Sequence, residues 1–223
     1  MGSNIAKLGS YAGWVGLAGI FGYHLSLTIL AGQRVSGTTD VAAITAYYKQ
    51  PVIAATTPEQ FLVLVPMLVF GLALRETLAT NQWSRFLATL GFGFMLAELP
   101  VIMAQTALEA TLVTVATNGG DVLGLFRFWD VLYNSGAYVL EAAWILSLGL
   151  ASRDVEGFPR WVPRFSYLAA ALQLVAMSAI WLGIPDAATL PGNLLLGIWM
   201  GAMSVGLGRL ASRRSSARVP VPA

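Results

Sequence analysis

The chain has 223 residues, of which 57% are hydrophobic and only 11% charged, against about 25% charged in a soluble domain. With a mean hydropathy of +0.69 and several long apolar runs, this balance excludes an ordinary soluble domain and places the chain in the membrane class. The absence of cysteine excludes disulfides, thiolate metal sites, iron–sulfur clusters, a cysteine nucleophile and c-type haem attachment.

Six apolar segments follow in order, and the predicted fold is an all-α, polytopic transmembrane bundle of six membrane-spanning helices. Helix one runs from about Gly9 to Ala31, helix two from Gln60 to Leu74, and helix three from Phe86 to Ala116. Helix four runs from Leu123 to Ala151, helix five from Val162 to Ile184, and helix six from Pro191 to Ala211. A span needs about 20 apolar residues at 1.5 Å rise, so helix two is short within these limits, and helices three and four are long enough to tilt or project. The apolar run from Tyr11 to Ala31 exceeds a signal-peptide core of about 7–15 residues, so it reads as a retained helix. Residues 1–211 form one transmembrane domain; residues 212–223 read as a basic, Pro-rich, disordered cytoplasmic tail.

With six spans, Lys7, Arg75, Arg85, Arg153, Arg160, Arg164, Arg209, Arg213, Arg214 and Arg218 fall on one side, and Arg34, Lys49 and Arg127 on the other. The positive-inside rule then places both termini of this multi-pass protein in the cytoplasm. Its first partner is the lipid bilayer. Small residues recur on helix one (Gly13, Gly16, Gly19, Gly22) and helix six (Gly197, Gly201, Ser204, Gly208). Such spacing lets helix backbones approach closely, either within the bundle or across a homodimer or larger complex.

The first outer loop, Gln33 to Glu59, is the longest. Asp40, or a preceding Thr, can cap a short helix, on which Val41, Ile44 and Tyr48 share a face. This predicts an amphipathic helix on the outer membrane surface, with Tyr47 and Tyr48 at headgroup level. The pattern Asp40-x-x-x-Ile44-x-x-Tyr47-Tyr48 is followed by an acidic position in helix three and by the inner turn Gly157-Phe158-Pro159-Arg160 and Val162-Pro163-Arg164. In this layout the chain resembles an uncharacterised bacterial family of small six-helix integral membrane proteins, a domain of unknown function. The resemblance implies a six-helix inner-membrane protein and carries over no activity and no catalytic residue.

Helix three is apolar enough to span, yet carries Glu98, Pro100, Gln105 and Glu109. An acid near the bilayer centre costs about 2.5–3.5 kcal/mol on insertion scales, so this helix is expected to face protein rather than lipid. At 1.5 Å per residue, Glu98 lies roughly 18 Å along helix three, Glu141 roughly 22–27 Å along helix four, and His24, the sole histidine, roughly 22 Å along helix one. Glu98, Gln105 and Glu109 share one face of helix three; Asp130, Asn134 and Glu141 share one face of helix four. Antiparallel packing would bring Glu109 near Asp130 and Glu98 near Glu141, making a polar track that helix one closes. Pro100 removes a helical hydrogen bond beside Glu98.

Two readings of these residues stand side by side: protonated carboxyls that hydrogen-bond to fix the bundle, or a proton, cation or ligand site. No metal and no cofactor are assigned. The Glu-x-x-His signature of helix-bundle metal sites is absent, one histidine cannot supply two haem ligands, and no membrane lysine is available for a retinal Schiff base. Walker, Rossmann, nucleophile-elbow and zinc-protease motifs are also lacking, and nothing points to nucleic acid. The favoured function is a small transporter or an ion- or ligand-binding protein. The alternatives are a non-catalytic accessory subunit, or a membrane-embedded enzyme using His24 with Glu98 and Glu141.

Overall fold

The computed structural model describes residues 2–32, 35, 37–57, 59–181 and 190–216. Among them there is no strand. The helices are α1 (Gly2–Ala31), α2 (Val41–Tyr48), α3 (Pro51–Thr56), α4 (Glu59–Leu78), α5 (Gln82–Thr117), α6 (Leu123–Val131), a π-helical segment (Leu132–Ala137), α7 (Tyr138–Ala151), α8 (Val162–Trp181) and α9 (Leu190–Ser216). Each of the six expected long segments is helical over its described residues. Helix one begins earlier than expected, at Gly2. The last helix continues to Ser216, so residues 212–216 are helical, whereas a disordered tail was expected from 212. The remainder of the tail, with Arg34, Pro58 and the turn at 182–189, lies outside the described residues.

The long helices form a ring in chain order. Each packs on the next, and α9 closes the ring against α1. Neighbours run antiparallel. Along α1, Gly9, Gly13, Gly16 and Gly19 meet Ala73, Phe70, Met67 and Val63 of α4 in reverse order. The α1–α9 seam is as close: Ser10 Oγ donates to Ser204 O at 2.8 Å, and Gly197 abuts the Phe21 ring. A Cβ on Gly13 would lie 2.2 Å from Ser204 Oγ, so only glycine allows this approach. The small-residue faces of α1 and α9 therefore serve contacts inside the bundle; Gly22 alone among the α1 glycines named above has nothing within 4 Å.

Local chemistry sets the helix ends. Asn81 starts α5 through a capping box: its side chain accepts from Ser84 N–H, and Ser84 Oγ accepts from Asn81 N–H, which satisfies two of the donors a helix N-terminus leaves open. At the same end Ser3 Oγ donates to Ala211 O, and Arg213 pairs with Glu156. The start of α1, the α4–α5 turn, the α7–α8 loop and the end of α9 thus lie together; we call this the basic end, and the opposite one the loop end.

Three helices, Ser3–Ala31, Gln82–Thr117 and Pro191–Ser216, are long and apolar enough to cross a membrane, and Tyr138–Ala151 is a shorter apolar helix. The outside of the ring matches that reading. Leu25, Leu62, Leu96, Val139, Leu174 and Ile198 are exposed. Contiguous apolar surface on this scale is rare on a soluble monomer.

The loop end departs from expectation. Asp40 caps α2 as predicted, accepting from Ala42 and Ala43 N–H at 2.9 and 3.1 Å. However, the tyrosine face of α2 is turned inward to the protein, not outward as headgroup contact would require. Ile44, Tyr47 and Tyr48 are buried against the protein, and it is Val41 that is exposed, at 43%. Tyr48 packs edge-on to Phe126 and Trp129 of α6, each 6.3 Å away. Burying a large apolar side chain contributes about 1.5–3 kcal/mol, so a wedge of aromatic surface at the ring mouth is the stronger site for this face. Together with α3, which the sequence reading did not anticipate, α2 caps the loop end.

Buried apolar residues fall into two clusters. One occupies the basic end, from Ala6 and Phe70 through Leu148 to Trp199 and Leu210. The other fills the loop end, from Tyr23 and Leu27 through Tyr48 to Leu112 and Trp129. Glu98 of α5 and Glu141 of α7 line a cavity between them.

Candidate functional site

A cavity of about 150 Å³ opens between α1, α4, α5, α7 and α9 at the level where the two apolar clusters part. Its walls are mostly aliphatic, with Ile20, Met67, Leu99 and Leu196 among them. Glu98, Glu141, His24, Gln105, Tyr138 and Trp144 bring polar groups to the same space.

Glu98 comes from α5, which runs through Pro100 without a break. Glu141 comes from the first turn of α7. Antiparallel packing of these helices sets the two carboxyl groups against each other, within hydrogen-bonding reach. Glu98 is buried, 6% exposed, and its Oε2 accepts from Trp144 Nε1–H at 2.6 Å. Glu141 is half-buried as a residue, but its Oε2 is enclosed and receives no N–H or hydroxyl donor from the described residues. An ionised carboxylate only accepts, so a hydrogen bond between these two groups requires a proton on one of them.

Trp144 roofs the pair toward the basic end. Its ring packs edge-on to Trp199, 5.3 Å between centroids, and Trp199 in turn to Phe70. Trp199 Nε1–H donates to Ser166 Oγ at 2.8 Å, and Ser166 Oγ donates to Val162 O at 2.8 Å. Indole N–H groups donate and cannot accept. This stack therefore orients Glu98 and provides no proton path of its own toward the basic end.

Toward the loop end the polar line continues. Gln105 is buried, and its Nε2–H donates to Leu132 O at 3.2 Å. Leu132 begins the π-helical segment, where the wider turn disturbs the regular helical pairing of carbonyls; a side chain from α5 meets one of them. Glu109 is 1% exposed, and Tyr23 O–H of α1 donates to its Oε2 at 3.4 Å, the long limit of such a bond. Asp130 accepts from Gly37 N–H at 3.0 Å, and Gly37 turns with φ +61°, so this carboxylate fastens the first loop onto α6. The backbone of Asn134 lies in the π-helical segment; its side chain lies outside the described residues. His24 lines the cavity from α1, its ring edge-on to Tyr23 at 5.3 Å.

The structure thus brings Glu98, Glu141, His24 and Gln105 to one space, sets Glu109 one step along the line, and gives Asp130 a partner in the loop. Trp144 and Tyr138 also line the cavity, although neither was among the site residues expected from the sequence. The spacing held a signal: Trp144 follows Glu141 by three residues, so the two share a helix face. Among the described residues no group of three or more His, Asp or Glu side chains is placed to hold a metal ion. Comparison with protein-family models, characterised proteins and solved structures found no match to this chain.

Proposed function

We propose that the protein is a small transporter or ligand-binding protein of a bacterial inner membrane, built of six spans with both termini cytoplasmic, and that Glu98 and Glu141 form its central proton- or ligand-binding site. The observation that carries the reading is the carboxyl pair in the cavity wall, with Glu141 Oε2 enclosed and given no N–H or hydroxyl donor by the described residues. Ionisable residues inside a membrane are costly and as a rule serve function. A purely structural carboxyl is expected to have its hydrogen bonds completed by the protein; among the described residues Glu98 Oε2 finds its donor and Glu141 Oε2 does not. The charge count supports the topology, since ten basic residues fall on the side of the termini if six helices span. The layout resemblance to small six-helix bacterial membrane proteins belongs to the same proposal.

Difference infrared spectroscopy of the purified protein, with Glu98→Gln and Glu141→Gln to assign bands, tests it. Carboxyl bands that respond to bulk pH and shift promptly in D₂O are the expected result. Bands indifferent to both would make the pair a sealed structural element and end this reading.

A further inference from the structure

We infer that the cavity takes an organic cation: a primary ammonium on an apolar body about the size of one ring, seated with its nitrogen against Glu98 and Glu141. This rests on the reading of the cavity as a ligand site and specifies its ligand.

Charge is the first argument. Among the described residues, the acidic and basic groups lining the cavity are Glu98, Glu141 and His24, with neither lysine nor arginine. An anionic ligand would meet two carboxyl groups with no fixed cation to offset them, in a medium where charges are weakly screened. Hydrogen-bond inventory is the second. Trp144 N–H is engaged by Glu98 and the Gln105 amide N–H by Leu132 O, while Glu141 Oε2 receives no donor from the described residues. That enclosed oxygen can accept a further hydrogen bond, and an ammonium brings three donors. The walls are the third. Aliphatic side chains, with the Trp144 and Tyr138 rings among the lining, suit an apolar body. Size is the fourth: at about 150 Å³ the space matches an engineered apolar cavity known to hold benzene. A metal ion fits less well, because no triad of ligating side chains forms among the described residues.

The test is equilibrium dialysis of the full chain in detergent against labelled benzylamine at neutral pH, with protein-free micelles as the blank and benzyl alcohol and phenylacetate as competitors. The expected result is saturable binding of one benzylamine, with both competitors at least tenfold weaker. Glu141→Gln should weaken benzylamine at least tenfold and leave benzyl alcohol unchanged. If benzyl alcohol binds as tightly as benzylamine, the cation inference is overturned while the ligand cavity stands. If no probe binds yet the carboxyl bands answer to pH, the cation inference is again overturned and the proton-site reading survives. If no probe binds and the bands are silent, both fall. Should Glu141→Gln fail to fold, as judged by circular dichroism, the charge series on the unaltered protein decides alone.

Discussion

Trp144 Nε1–H donates to Glu98 Oε2 at 2.6 Å, joining α7 to α5 through one buried, donor-only group. A buried hydrogen bond contributes about 0.5–1.5 kcal/mol, and leaving its partner unsatisfied costs about 1–3 kcal/mol. Trp144→Phe keeps the ring and removes the donor. It is expected to lower the thermal midpoint in detergent more than Glu98→Gln does, because the side-chain carbonyl of the introduced glutamine would still accept from the indole. Equal midpoints for the two variants would show that this bond contributes little.

The α1 glycines differ in what surrounds them. At Gly13 an added Cβ would meet Ser204 Oγ at 2.2 Å and the Phe70 ring at 2.7 Å; at Gly22 it would meet nothing within 4 Å. Gly13→Ala is therefore expected to destabilise by about 1–3 kcal/mol through overpacking. Gly22→Ala should be neutral, or stabilising by roughly 0.5–1 kcal/mol, because alanine suits a helix interior better. Thermal unfolding of both variants in the same detergent checks the contrast.

Asp40 holds the first turn of α2 by accepting two backbone N–H groups. Removing such a cap costs about 0.5–2 kcal/mol. Asp40→Ala should loosen the cap over the ring mouth, read as faster amide exchange across residues 41–48 with α5 exchange unchanged. Uniform acceleration throughout the protein would show instead that α2 is integral to the global fold.

The cysteine-free sequence suits single-cysteine mapping of topology. Gln82 and Asn118 are exposed at opposite ends of α5. If six helices span with the termini inside, Asn118→Cys reacts with an impermeant maleimide in intact cells, and Gln82→Cys reacts only after permeabilisation. The reverse pattern would invert the proposed orientation.

Much was legible in the sequence because membrane insertion and helix periodicity are local properties. Length and apolarity marked the long helices. Asp40 was readable as a cap from its place before Val41-Ala42-Ala43. Glu98 and Glu141 were readable as facing residues, since a short link makes α5 and α6–α7 antiparallel neighbours and the depth of each acid follows from the rise per residue.

What only the tertiary structure decided is where those faces point and what meets them. Tyr47 and Tyr48 are compatible with a headgroup belt or with a protein wedge; the choice turned on Phe126 and Trp129, which lie far along the chain. The glycines of α1 could have served an outside partner, and the packing of α4 and α9 onto α1 gave them internal ones. The partner of Glu98 is an indole whose sequence neighbours mark it as core. The cavity is bounded by five helices, and no single helix carries it in its pattern. Sequence periodicity fixes which residues share a face, whereas packing across the ring determines whether a face meets lipid, another helix or an open space.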